Sequence, residues 1–483
     1  MMTIAQITFI ALVFVALGFV AANLSYSLLL LLSWRGMRRR QQEMTDAVQT
    51  ARKLSALAST PSVTLIVPAY NEEKCILEST ASFLSTSANK LEVLVVDDGS
   101  KDQTCATLIA HYQMEPVTLR RSNRVSTARV VACYESKLDP RLRLIRQENR
   151  GKAGALNTGI DYAMGDIVCT VDADTVLETD SILKVTAPFL NAPERVLAAS
   201  GVVRIANGCI FENHHVAQGR LPNDPVVMFQ IIEYIRAFYC GRVGWNRLGA
   251  SILLSGAFSA FKKSALVEVG GFDEKSLTED LEIVLRLRNH YQATGRPCDI
   301  ILLSEPMCWT QAPTTLRMLW KQRLRWQQGL ASSMLKHKRM VLNPRFGWVG
   351  WVTLPYMVVF EWFGPVIELS GYLVLIHQFA TDFAHSGNLA LMLLGAAVYS
   401  FILTVLAILL AHTQFQTHNP KYPRRINYRL VLFAFLENFG YRQFTWLSRL
   451  YGFLKAIHGK QEWGTQDRTQ MAAPQPPEGV PNT

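Results

Sequence analysis

The chain has 483 residues, enough for one large domain or two to three ordinary ones, and 49% of them are hydrophobic. Its net charge of +11 suits an anionic partner: nucleic acid, anionic lipid or a phosphorylated small substrate. Much of the excess borders apolar stretches, at Arg38–Arg40, Lys336–Arg345 and Lys421–Arg429, which favours a membrane surface and speaks against nucleic acid. Eight cysteines lie between Cys75 and Cys308 with no C-x-x-C pair and no zinc spacing, the pattern of reduced structural thiols.

From Ile4 to Trp34 no charged residue occurs, a length that crosses a bilayer with some tilt. The basic cluster Arg35, Arg38, Arg39 and Arg40 follows the apolar run, and no small-residue cleavage site does. A retained anchor over residues 1–34 is therefore expected, with residues 35 onward cytosolic and 35–61 a linker.

Next, VTLIVPAYNEE predicts a buried strand, Val63 to Val67, stopped by Pro68. Asn71 is placed to cap a helix whose first turn carries Glu72 and Glu73. A second strand, Leu91 to Val96, ends in Asp97, Asp98, Gly99 and Ser100. Strand, helix, strand, acidic loop is the opening of a parallel α/β sheet, whose ligands bind beyond the carboxyl ends of the strands.

Residues 105–140 are less regular, with a helix expected near Thr127 to Lys137. Leu142 to Ile145 reads as the third strand, followed by NRGKAGALNTGI. There Gly151 and Gly154 allow close backbone approach, Lys152 offers a point charge for phosphate, and a helix runs from Ala153 to Ala163. A fourth strand, β-branched through Ile167 to Val171, delivers Asp172 and Asp174. A period of two would put both acids on one face, able to hold a hard cation through oxygen ligands. Taken alone, the pair fits a solvated turn as well.

The spaced set PAYNEE, VVDDGS, NRGKAGALN and VDADT resembles glycosyltransferase family 2, whose cytosolic domain has the nucleotide-sugar fold called GT-A. LTEDLEI and QRLRW look like the T-E-D and Q-x-x-R-W motifs of the membrane-embedded processive synthases of cellulose, poly-N-acetylglucosamine, chitin and hyaluronan. The resemblance implies an α/β GT-A fold with a mixed, mostly parallel sheet, flanked by transmembrane and interfacial helices. It also implies that Asp98, with Asp97 and Glu72, contacts the nucleotide, that Lys152 lies near it, and that Asp172 and Asp174 engage the diphosphate through Mg²⁺ or Mn²⁺.

On the acceptor side it makes Asp280 the base, with Glu279 beside it. Like charge on Glu279 would discourage Asp280 from ionising, although the pair also suits an ordinary helix start capped by Thr278. Ser255 and Gly256, in SGAFSAF, match the acceptor loop.

Thr314 to Leu335 predicts a basic amphipathic helix on the bilayer surface, with Leu316, Leu319, Trp320, Leu324, Leu330 and Met334 on one side and Arg317, Lys321, Arg323 and Arg325 elsewhere. By resemblance Gln322 and Arg325 contact the diphosphate and Trp326 the acceptor sugar. Phe346 to Ile376 fits an interfacial piece followed by one span. Leu389 to Ala411 reads as a span, and Leu430 to Ile457 as a third span or a re-entrant helix. Trp463, Thr465 and Arg468, in EWGTQDR, look like the W-G-T-x-x-R gating loop of hyaluronan-type synthases.

The expected layout is an anchor (1–34), a linker (35–61), a GT-A domain (62–310), an interfacial helix (311–345), a membrane region (346–457) and a gating segment with a Pro-rich tail (458–483). The expected function is a processive, inverting synthase that polymerises a UDP-sugar, UDP-N-acetylglucosamine first among candidates, and exports the glycan across the plasma membrane. Its partners would be the donor, the growing glycan, the bilayer and export or accessory subunits. A hyaluronan, chitin or β-glucan synthase, a single-addition transferase using a lipid acceptor, and a non-catalytic assembly subunit are the alternatives.

Overall fold

The computed structural model describes residues 13, 17, 18, 20–36, 61–88, 90–381, 386–418 and 426–457. Most of the expected anchor upstream of residue 20, the Arg38–Arg40 cluster and the W-G-T-x-x-R segment with Trp463, Thr465 and Arg468 lie outside the described residues. Two compact units emerge: an α/β unit that runs to Val227 and resumes over Leu253–Pro313, and a helical unit that includes Met228–Ile252 and the chain from Thr314.

Helix α1 (residues 20–36) precedes the α/β unit. That unit runs β1 (Val63–Ala69), α2 (Ile76–Leu84), β2 (Leu91–Asp97), α3 (Thr104–His111), β3 (Met114–Pro116), β4 (Val130–Ser136), β5 (Leu142–Gln147), α4 (Gly151–Tyr162), β6 (Ile167–Val171), β7 (Val176–Leu177), α5 (Ser181–Asn191) and β8 (Val196–Ile205). A hairpin, β9 (Ile210–Glu212) and β10 (His215–Gln218), comes next. After α6 (Pro225–Arg236) and α7 (Val243–Arg247), joined by a π-helical turn at Ala237–Arg242, the unit closes with β11 (Phe258–Lys262), α8 (Lys263–Glu268), α9 (Glu279–Ala293) and β12 (Asp299–Thr310).

The strands form one mixed sheet in the order β3-β4-β5-β2-β1-β6-β11-β8-β12-β7. Its centre, β5-β2-β1-β6, is wholly parallel, and β11 enters antiparallel between β6 and β8. Central strands are near-continuous apolar runs because helices cover both faces: Leu65, Ile66, Val67 and Val93 to Val96 are fully buried.

Pro68 does not stop β1, as expected from its missing N–H. The pairing of β1 with β6 ends at Ile66, so Pro68 extends a strand end paired only with β2, where a lost donor costs little. The stretch expected to be helical near Thr127 to Lys137 is strand β4, antiparallel to β5. Val130, Val131, Cys133 and Tyr134 favour a pleated surface, and β5 supplies the partner that local sequence cannot show.

Helix α4 lies close on β1. A Cβ added at Gly159 would stand 2.3 Å from Cγ2 of Ile66, so the glycine sets the approach of the helix that carries Lys152.

The helical unit continues with α10 (Leu316–Lys336), short helical turns over Val349–Trp362, α11 (Gly364–Thr381), α12 (Ser386–His418), α13 (Tyr428–Leu436) and α14 (Tyr441–Ile457). Among the described residues one helix is long and apolar enough to cross a membrane, over Leu394–Gln414. Val349–Trp362 with α11 forms a second candidate, bent by 48°.

On α10 the charge pattern misleads: Arg323 is 6% exposed, bonded to Glu233 at 2.7 Å and 4.4 Å from the Trp326 ring. Leu316 and Leu335, by contrast, are exposed. All eight cysteines are unpaired.

Replacing Gly159 by Val should cost at least about 1–3 kcal/mol of stability through overpacking, read as a lower denaturation midpoint of the detergent-solubilised chain. An unchanged midpoint would mean that α4 does not depend on this contact.

Candidate active site

The site is assembled at the carboxyl ends of β1, β2 and β6, where loops and the N-terminus of α4 meet. The β1 and β2 loops interlock through their backbones. Asn71 adopts a left-handed conformation, φ 58°. Its N–H donates to Ser100 Oγ (3.0 Å), and its Oδ1 accepts from Lys101 N–H (2.8 Å).

Asn71 is therefore not the helix cap that its residue type suggested; Cys75 occupies that position. The backbone N–H of Glu72 donates to Thr104 Oγ1 at 2.8 Å, and the residue is buried. Asp97 is fully buried at the end of β2 and accepts from Ser100 N–H. Burial raises its carboxyl pKa, against the opposing hydrogen bonds of Ser100 and the charge of Arg146.

Asp98 organises the turn into α4. Its Oδ1 accepts from Gln147 Nε2 (2.6 Å) and Arg150 N–H (2.8 Å), and its Oδ2 accepts from Gly151 N–H (2.8 Å). Asn149 Nδ2 donates to its backbone carbonyl at 2.8 Å. A carboxylate at a helix start receives such donors readily. Burial nonetheless pushes the group up to about 6, with these hydrogen bonds pulling the other way. Gln147, Asn149 and Arg150 were not singled out from sequence; the available signal was NRG opening a helix directly after an acidic strand end.

Lys152 projects from the first turn of α4 between two carboxylates. Its Nζ is 2.6 Å from Asp172 Oδ1, 2.9 Å from Glu279 Oε1 and 3.5 Å from the Gly256 carbonyl. Burial works against the ammonium, but Asp172 and Glu279 outweigh it and hold the pKa above the usual lysine value.

Strand β6 ends at Val171, and the acids sit on the turn that follows, closed by Thr175 N–H to the Asp172 carbonyl at 3.0 Å. The period-two argument for a shared face therefore does not apply: the backbone has left the strand before Asp174. Asp174 is 8% exposed. Asp172 N–H donates to the Ala257 carbonyl at 3.2 Å, tying this turn to the Ser255–Gly256 loop.

Asp280 lies in the first turn of α9, its Oδ1 accepting from Leu281 N–H at 2.8 Å. Thr278 takes the capping position but makes no capping hydrogen bond with its side chain. A Cβ on Gly256 would fall 3.2 Å from Asp280 Oδ2 and 3.5 Å from Lys152 Nζ, so the glycine keeps that space clear. Ser255 Oγ accepts from Ala257 N–H at 3.2 Å and shapes the loop.

Lys152, Ser255, Gly256, Glu279 and Asp280 line one pocket. Glu279, held by Lys152, does not present a bare negative charge to its neighbour. Gln322, Arg325 and Trp326 belong to α10 in the helical unit and are not among the residues that the α/β unit gathers. His215 bridges Ser85 Oγ (3.0 Å) and the Leu177 carbonyl (3.1 Å).

Among the described residues no group of three or more His, Cys, Asp or Glu is assembled as a self-sufficient metal centre. The chemistry on hand is a cation, hard oxygen donors and a helix-start carboxylate around a pocket reached by two loops.

This sheet, with acidic turns after β2 and β6 and an acid at the start of α9, is the nucleotide-sugar transferase arrangement. The family described as "Glycosyltransferase like family 2" matches residues 61–329, and the chain belongs to it: it is a glycosyltransferase of GT-A architecture. It is 30% identical over 268 residues to the poly-beta-1,6-N-acetyl-D-glucosamine synthase of Staphylococcus aureus strain COL, covering 55% of this chain and 54% of that one. The identity is also 30% over 269 residues with the Staphylococcus epidermidis protein of the same name. The chain spans about half the length of the curated relatives it matches. Among solved structures, a mannosyltransferase from Pyrobaculum calidifontis, in complex with GDP-Man and Mn²⁺, is 21% identical with a TM-score of 0.49, covering 81% of this chain and 100% of its own.

The raised Asp98 value has a signed consequence. Its folded-state pKa, about 6, lies above the unfolded value of about 4, so the fold favours the protonated form. That contribution to stability is full below about pH 4 and is lost as pH rises through about 6. Asp98→Asn should flatten the fall in denaturation midpoint over this range. A slope unchanged from the wild type would remove Asp98 as its source.

Gly256→Ala should lower turnover about tenfold by crowding Asp280, with the denaturation midpoint retained. Unaltered turnover would show that the space beside Asp280 is not used.

Proposed function

We propose that the chain is a processive, inverting glycosyltransferase that polymerises a UDP-sugar, UDP-N-acetylglucosamine being the best-fitting donor, into a β-linked polysaccharide passed across the plasma membrane. The observation that carries this reading is the gathering of Lys152, Gly256, Glu279 and Asp280 around one pocket, with Asp172 paired to Lys152, within the stretch that resembles poly-N-acetylglucosamine synthases.

In this reading Asp98, Asp97 and Glu72 form the nucleotide end, and Lys152 meets the diphosphate. Asp280 takes the proton of an acceptor hydroxyl as that oxygen attacks the anomeric carbon. The bond from that carbon to the β-phosphate oxygen breaks on the opposite face, and UDP leaves with the electron pair. Ser255 and Gly256 receive the acceptor.

Asp172 and Asp174 are hard oxygen donors without a third clustered ligand among the described residues. That set suits Mg²⁺ or Mn²⁺, which complete their shells with phosphates and water. Such an ion would neutralise charge developing on the leaving diphosphate.

The layout follows the sequence reading: an anchor at 1–34, a cytosolic catalytic domain at 62–310, an α10 region at 311–345, a membrane region at 346–457 that crosses more than once, and a gating segment containing Trp463, Thr465 and Arg468. The Leu394–Gln414 helix and the bent pair before it support membrane residence.

Purified chain in nanodiscs should turn radiolabelled UDP-N-acetylglucosamine into long polymer, sized by gel filtration. Asp280→Asn should lower the rate about 10²–10⁴-fold with UDP affinity retained. One sugar transferred to a lipid would replace the processive reading, and undiminished synthesis by the variant would remove Asp280 as base.

A further inference from the structure

The loop that leads into α9 is fastened to α4 by a side chain outside the catalytic set. Asn157, 2% exposed, pairs both ends of its amide with one peptide: Nδ2 donates to the Phe272 carbonyl at 2.9 Å, and Phe272 N–H donates to Oδ1 at 2.6 Å. The same Nδ2 reaches Glu274 Oε1 at 3.4 Å. Gly271, at φ 79°, passes so near that a Cβ there would stand 2.3 Å from Asn157 Oδ1. A flexible left-handed residue is thus required by the clamp itself.

Two further links join the same elements: Arg150 Nε to Glu274 Oε2 at 2.5 Å, and Lys152 to Glu279. On the other side, Phe272 packs edge-on against Phe261 of β11 at 5.9 Å, and β11 pairs with β6, the strand that delivers Asp172.

We propose that Asn157 is a positioning residue for the transfer step: its paired hydrogen bonds to Phe272 fix the approach of the Glu279–Asp280 turn to Lys152 and to the Asp172 turn. This rests on the assignment of Asp280 as base. Asn157 faces the backbone of Phe272 rather than the pocket, so it acts through the seven residues between Phe272 and Asp280. Other side chains of its size fail. Aspartate cannot donate to the carbonyl and faces Glu274 with like charge, and leucine leaves both peptide groups unpaired in a buried setting, a costly state.

The test uses Asn157→Ala and Asn157→Asp in the full chain, in nanodiscs, with UDP release from UDP-N-acetylglucosamine as the rate. Both variants should lower kcat about 30–100-fold, the scale of a displacement near 1 Å, with donor KM and UDP affinity within about threefold of the wild type. In an Asp280→Asn background, Asn157→Ala should add little, because the group it positions is already gone. Adding Glu274→Gln to Asn157→Asp should restore part of the rate by supplying a donor to the new carboxylate.

A loss of kcat that multiplies unchanged onto Asp280→Asn, or a shared collapse of UDP affinity and unfolding midpoint, would reduce Asn157 to a fold-stabilising residue and overturn the proposal. If the wild type itself releases no UDP, the catalytic reading fails separately. Hydrogen exchange then judges the clamp: amides of residues 273–280 should exchange at least about tenfold faster in Asn157→Ala, and unchanged exchange overturns it.

Discussion

One ammonium holds the chemistry of the α/β unit together. Lys152 sits between Asp172, at the end of β6, and Glu279, at the start of α9. These carboxylates are far apart in sequence and would repel one another without it. Everything that delivers Lys152 to this point therefore bears on the site. Gly159 lets α4 lie close on Ile66, and Asp98 captures the first amides of the same helix. Removing one partner of a buried ion pair leaves the other charge uncompensated, at a cost of about 3–5 kcal/mol. The partial exposure of Lys152 and Asp172 lowers that figure here and leaves the pair open to a phosphate-bearing ligand.

The arrangement also explains how two acids of one short motif differ. Glu279 points to Lys152 and is nearly buried, whereas Asp280 turns toward Gly256 and the pocket. Adjacent residues at a helix start diverge by about 100°, so one can join the donor-side ion pair while its neighbour faces an acceptor. The Ser255–Gly256 loop belongs to the same construction, since Asp172 donates its backbone N–H to Ala257. The Asp172 turn and the Ser255–Gly256 loop are thus hydrogen-bonded to each other.

Strands β1, β2 and β6 were legible because each is a short run of buried β-branched and aliphatic residues ending in an acidic turn, a pattern that survives without tertiary information. Strand β4 was not: VVACYES alternates weakly, and its pairing with β5 on one side and β3 on the other makes it a strand. The order of the sheet beyond β6 was likewise out of reach, because β11 inserts between β6 and β8 through contacts that no local period records.

Within the site, the motifs that resemble glycosyltransferase family 2 marked Asp98, Lys152, Asp172 and Asp280. What those groups touch was hidden. Asn71 looked like a cap and is a left-handed loop residue. Asp98 looked free to meet a nucleotide and spends three bonds on Gln147, Arg150 and Gly151. Residue type predicts capacity for a bond; the partner is set by the fold.

The helical unit shows the same limit in reverse. Charge periodicity assigned Arg323 to a solvated face of α10, yet it is buried against Glu233, which also accepts from the Tyr441 hydroxyl at 2.8 Å. Arg236 and Arg442 converge on the fully buried Glu437, the latter at 2.7 Å. Arg449 bonds the Glu361 carbonyl at 2.6 Å and Gln327 Oε1 at 3.2 Å. Ionisable groups buried among apolar helices pair, because an uncompensated buried charge is costly. Apart from Arg442 with Glu437, these pairs join segments far apart in sequence, such as α6 with α10 and α14, and each is tolerable only while its partners stay together. Apolar residues are left facing outward, Leu394, Val398, Ile402 and Leu409 on α12 among them. The burial of Arg323 follows from Glu233 and Tyr441, partners that a helical period along α10 could not show.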